Sequence, residues 1–161
     1  MKSKSGRIIF LALLLATLAT INAAAQTKQP NLTGTWKMNA EKSKFEQGGP
    51  SEITIKIEHK DSTLTESLFL VTGGGDRTVE AKYTTDGKES TQEVMGATAQ
   101  TSAKWEGDVL IIDWKVESAG FNRKITLSAD GKTMTMLVKQ STPDGQSATD
   151  TVVLEKQDAK K

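Results

Sequence analysis

The sequence predicts an all-β domain, a single antiparallel meander of about eight to ten strands closed or nearly closed into a barrel. Three observations carry this expectation. From Leu32 onward, large apolar residues alternate with polar ones over short runs, the period-two pattern of strands half buried against a core. Glycine-bearing turn signals divide those runs at short intervals, as an antiparallel meander requires. Helical periodicity is nearly absent, and only residues 39–45 have room for a turn or two. Each strand then has one face to bury and the sheet has two edges to hide; a barrel does both, and a two-sheet sandwich is the alternative.

Taken in order, residues 1–25 read as a cleaved export signal. Lys2, Lys4 and Arg7 make a basic start, residues 8–18 are apolar except for Thr17, and Ala23, Ala24 and Ala25 are the small residues a signal peptidase accepts. The apolar run is shorter than the ~20 residues that span a bilayer. With no Cys in the chain there is no site for a lipid anchor. The expectation is a periplasmic or secreted protein beginning at Gln26, without a stable membrane anchor. Removing residues 1–25 takes away three basic groups and leaves a formal charge of −2. So near neutrality, the chain lacks the basic face that nucleic-acid binders need. Residues 26–31, with Pro30, read as a flexible leader, residues 32–157 as the barrel domain and residues 158–161 as a frayed tail.

Within the domain, Leu32, Trp36 and Met38 share one face of the opening strand, and Ile53, Ile55 and Ile57 one face of the next. Leu64, Glu66, Leu68 and Leu70 follow, then a wide hairpin at Gly73, Gly74 and Gly75, then Val79, Ala81 and Tyr83. Asp86-Gly87 predicts a tight hairpin, because glycine supplies the positive φ that such a turn demands. A weak strand over 89–95 precedes Ala97, Ala99, Ala103 and Trp105; Leu110, Ile112, Trp114 and Val116 come next. Phe121, Arg123, Ile125 and Leu127 share a face, as do Met134, Met136 and Val138; Val152 and Leu154 end the pattern.

Residue 32–38, Leu-Thr-Gly-Thr-Trp-Lys-Met, resembles the Gly-x-Trp opening strand of the lipocalin and fatty-acid-binding protein (calycin) superfamily. Together with Lys42-Ser43-Lys44-Phe45 and the Asp-Gly-Lys-Thr-Met-Thr run at 130–135, it resembles exported bacterial lipocalin-like proteins. The resemblance implies a lipocalin-like barrel in which Gly34 permits close approach and Trp36 plugs one end. Two departures qualify it. The helix–turn–helix lid of fatty-acid-binding proteins has no counterpart, since residues 40–52 are short and contain Gly48, Gly49 and Pro50. Their Arg-x-Tyr carboxylate anchor falls on Val152 and Leu154, so fatty-acid binding does not carry over.

No catalytic residue, metal site or cofactor is expected. The absence of Cys removes thiol chemistry and Cys-ligated metals, and a lone histidine removes multi-imidazole sites. His59 reads as an exposed residue flanking a turn, and Gly73-Gly74-Gly75 lacks the Lys-Ser/Thr ending of a phosphate loop. The candidate ligand-binding residues are Arg123, Glu66, Tyr83, Trp105, Trp114, Met134 and Met136. Arg123 on an apolar face either grips a ligand carboxylate through its two-pronged guanidinium, snorkels to water, or packs over Trp36. Glu66 either pairs with Arg123, binds a polar ligand group or marks a bulge. The leading functional expectation is a non-catalytic exported barrel holding a small apolar or amphipathic ligand. The competing one is an envelope protein-interaction module or hydrolase inhibitor with a filled barrel.

Overall fold

The computed structural model describes residues 29–94, 96–117, 119–141 and 145–158. The export signal, positions 26–28 of the leader, the Pro143-Asp144 part of the last turn and residues 159–161 of the tail lie outside the described residues.

Ten strands follow one another: β1 Gly34–Met38, β2 Glu52–Lys60, β3 Thr63–Thr72, β4 Gly75–Thr84, β5 Ser90–Val94, β6 Ala97–Glu106, β7 Val109–Val116, β8 Ala119–Leu127, β9 Thr133–Ser141 and β10 Ser147–Lys156. Their lateral order is β4-β3-β2-β1-β10-β9-β8-β7-β6-β5, with antiparallel ladders throughout. The last strand therefore returns to pair with the first, Trp36 opposite Lys156 and Met38 opposite Leu154. The result is a nearly closed meander barrel, and the sandwich alternative is set aside. No helix occurs among the described residues, including the 39–51 segment between β1 and β2.

The barrel's one seam lies between β4 and β5, which are neighbours in sequence but share no ladder. The tight hairpin expected at Asp86-Gly87 is not formed. The connection runs over 85–89, and Gly87 (φ 79°) donates its N–H to the Ala103 carbonyl at 2.8 Å, while Asp86 bridges to Lys104. The turn signal is real, but the segment is captured by β6 and does not fold β5 back onto β4. The side chain of Gln92 stands in for the missing ladder. It accepts from the Lys82 N–H at 3.2 Å, and its amide donates to the Lys82 carbonyl at 3.3 Å and to Thr101 Oγ1 at 2.9 Å. The hairpin at 73–75 is also tighter than expected: Thr72 pairs directly with Gly75, and φ of 107° at Gly75 is a conformation glycine tolerates.

Besides a small second cluster of Val79, Val94 and Ala99, the inward faces of the strands form a main core that is densest at one end. Leu32, Trp36, Ile55, Ile57, Leu110, Ile112, Met134 and Leu154 are at most 2% exposed there. Trp36 donates its indole N–H to the Leu32 carbonyl at 2.9 Å, and Lys156 Nζ lies 5.2 Å from the ring centre. Gly34 has φ +150°, and a Cβ on it would come within 2.7 Å of Lys156 Cε, so the Gly-x-Trp spacing lets strand and lysine close over the indole.

His59 differs from expectation. It continues the inward row of Ile53, Ile55 and Ile57, and its ring stacks on Trp105 with centroids 5.9 Å apart. Ile111 differs too, being 7% exposed although it faces outward between Ile112 and Leu110. In the register it sits between Lys104 and Lys124 on the outer surface, positions from which long side chains can cover an apolar neighbour.

Candidate functional site

Above the dense end, a cavity of about 320 Å³ opens toward the segment between β1 and β2. Its walls are apolar: Leu68 and Leu70 from β3, Val79 from β4, Val94 from β5, Trp114 from β7, Phe121 from β8, Met136 and Val138 from β9, and Val152 from β10. Phe45, Gly48, Gly49 and Pro50 roof it. The Phe45 ring lies directly over Gly49, where a Cβ would overlap it, so glycine at 49 is what lets the ring fold down. The segment is tied to the barrel by a bridge between Lys44 and Thr151, and by Glu155, which accepts from Lys42 Nζ and Asn39 Nδ2, each at 2.9 Å. Those two bonds, Lys42's first, hold the Glu155 carboxyl below the usual range.

The floor is polar and spans the bore. β3 and β8 stand five places apart in the ten-strand order, on opposite walls. Glu66 comes from one and Arg123 from the other. Arg123 Nη2 donates to Glu66 Oε1 at 2.6 Å and Nη1 donates to Oε2 at 3.2 Å, a two-pronged ion pair. Tyr83 of β4 donates its hydroxyl to Glu66 Oε1 at 2.9 Å. It accepts from Arg123 Nη2 at 3.0 Å and from the Trp114 indole N–H at 2.7 Å. Arg123 also stacks its guanidinium 5.9 Å from the centre of the Trp114 ring, and not over Trp36.

Burial raises the Tyr83 pKa above the ordinary phenol range; Arg123 opposes this and Glu66 adds to it. For Arg123, burial pulls the other way, but the Glu66 carboxylate and Tyr83 more than offset it and hold the guanidinium charged. The pair is therefore neutral as a unit, and Arg123 is not a free anion receptor.

The sequence candidates thus fall into two groups. Glu66, Arg123, Trp114 and Met136 line the cavity, and Tyr83 completes the floor beneath them. Met134, fully buried, belongs to the dense end with Trp36, and Trp105 is stacked on His59 away from the cavity. Phe121 occupies the inward row but is 39% exposed, because it stands at the rim.

One charged cavity residue was not foreseen. Asp150, 6% exposed, lies on the inward row of β10 with Val152 and Leu154. Its Oδ1 accepts from the Glu46 backbone N–H and its Oδ2 from Gln140 Nε2, both at 3.0 Å. The signal was its spacing of two and four from those apolar residues; an acidic residue close to a turn read as solvated. Among the described residues the remaining buried polar side chain is Thr101, which serves the seam, and no cluster of His, Cys, Asp and Glu could hold a metal ion.

No protein-family model and no curated protein sequence matches the chain. Solved structures do resemble it. Secretory abundant heat soluble protein 4 from Ramazzottius varieornatus superposes with a TM-score of 0.57 at 12% identity, over 81% of this chain and 99% of that one. Fatty-acid-binding protein 1 from Echinococcus granulosus gives 0.54 at 13% identity, over 78% and 97%. Human cRBP IV gives 0.50 at 15% identity, over 80% and 99%. At such identities the likeness is one of fold alone: with its strand order and Trp36-plugged end, the chain has the fold of a calycin-type β-barrel.

Proposed function

We propose that this protein is an exported, non-catalytic binding barrel that takes one small apolar or amphipathic molecule into the cavity beneath Phe45. The cavity carries the reading. Protein interiors leave few voids larger than a water, so an apolar space of about 320 Å³ inside an otherwise dense barrel is a built feature. It stands at the small end of the ~300–1,000 Å³ range of ligand pockets. The fold likeness to a fatty-acid-binding protein supports the binding class. The inward-facing Val152 and Leu154, where that family's anchor falls, turn the preference away from fatty acids. Export rests on the basic, apolar and alanine-rich order of residues 1–25. A non-catalytic role is supported by the cavity's charged side chains, which are engaged with one another, with the backbone or with Gln140 and face no nucleophile.

The test is titration of the mature protein with the neutral apolar fluorophore N-phenylnaphthylamine, read by its emission and by tryptophan quenching. Saturable binding that is lost in Val152→Trp, which fills the cavity, is expected. No binding, or equal binding by the filled variant, would overturn the reading in favour of a protein-facing module with a closed interior.

A further inference from the structure

We propose, on the footing of that binding reading, that the cavity selects amphiphiles with a cationic head, of the alkylamine class, and that Asp150 is the residue that holds the head. Three charged side chains line the cavity: Glu66, Arg123 and Asp150. Arg123 is committed to Glu66 through both of its terminal nitrogens, which leaves the carboxylate of Asp150 as the uncompensated charge.

Asp150 sits at the level of Arg123, joined to it through Val138 in the ladder, but Arg123 reaches across the bore to the opposite wall. The two partners of Asp150, the Glu46 N–H and the Gln140 amide, are neutral donors. An ionised carboxylate has about four acceptor sites, so capacity remains for a further donor. No ion pair to Asp150 forms among the described residues. Lys44 and Lys139, nearest in the register, are exposed on the outer surface, and the Glu46 side chain at the same rim adds negative charge while accepting the Thr149 N–H.

A buried carboxylate without a counter-charge is costly, and a ligand cation supplies what the barrel does not. The same field repels a ligand carboxylate. The apolar walls of the cavity then take the alkyl chain.

Decylamine, decanol and decanoate share one chain and differ only in the head, so the test is their competition against N-phenylnaphthylamine on the mature protein. Displacement by decylamine at about tenfold lower concentration than decanol is expected, with decanoate weakest. In Asp150→Asn the amine's advantage over the alcohol should collapse while decanol is unchanged. Decanoate binding as well as decylamine to the wild-type protein overturns the proposal without needing the variant, and so does an amine advantage that survives Asp150→Asn. If decanol and the fluorophore both fail to bind, the binding reading itself falls, and this proposal with it.

Discussion

Arg123 Nη2 and Glu66 Oε1 meet at 2.6 Å in the middle of the barrel, from strands on opposite walls. A contact across the bore differs from one between ladder neighbours, because no backbone hydrogen bond fixes the distance it spans. With Tyr83 and Trp114 it links β3, β4, β7 and β8, two strands on each side of the seam. It also divides the interior into a filled apolar half and a cavity, so the same four side chains set both shape and charge.

Breaking that pair from one side should cost far more than replacing it from both. Arg123→Met leaves the Glu66 carboxylate buried with only Tyr83 beside it, an expected loss of about 3–5 kcal/mol. The double replacement Arg123→Met with Glu66→Leu should recover most of that loss, since no uncompensated charge remains. Urea unfolding of the wild type, both single variants and the double checks this. Additive losses would mean that the two groups are not coupled.

Tyr83 is the sole tyrosine of the chain, so phenolate absorbance reports it alone. Its folded-state pKa is raised, first by burial, above the value of about 10 it has when unfolded. The sign follows: the phenol's contribution is complete below about pH 10 and declines as the pH rises toward the folded value. The decline is about 1.4 kcal/mol per pH unit, because the unfolded chain releases the proton first. Near about pH 11 the native protein should therefore show no phenolate, and the signal should appear together with loss of the strand circular dichroism. Tyr83→Phe, which removes the titration, should show a shallower alkaline fall in stability than the wild type. Phenolate forming near about pH 10 in protein that stays folded would place the hydroxyl in contact with water.

What the sequence could reveal followed from periodicity. Strict alternation set the inward rows of Ile53–Ile55–Ile57 and Val79–Ala81–Tyr83, and a Gly-x-Trp spacing needs only a neighbouring strand to become a plug. Alternation also put Glu66 and Arg123 on inward faces, but a one-dimensional pattern carries no information about which strands stand opposite across a bore. That is why their pairing remained one of several readings. Depth was equally hidden: Met134 and Met136 alternate identically, yet one is packed at the dense end and the other lines the cavity. Asp150 was invisible because a polar residue beside a turn is ordinarily solvated, and its burial depends on the Glu46 segment folding over it. Asp86-Gly87 misled for the opposite reason, since a correct local turn signal was overridden by tertiary pairing with β6.

His59 offers a substitution expected to stabilise. Both ring nitrogens are buried without a hydrogen-bond partner, as is the indole nitrogen of Trp105 against which the ring stacks at an interplanar angle of 26°. An unmade hydrogen bond at a buried group costs about 1–3 kcal/mol, whereas the stacking needs only a flat ring. His59→Phe keeps the ring and removes the two polar atoms, so the unfolding free energy should rise by about 1 kcal/mol. His59→Ala removes the ring as well and should lower it, which separates the packing from the polar cost. The backbone of residue 59 exchanges hydrogen bonds with Thr33 in either variant, so the strand end itself is undisturbed. A His59→Phe protein less stable than the wild type would show that the imidazole makes a polar contact in solution, and would locate at this end of the barrel a hydrogen-bonding role that the packed stack does not reveal.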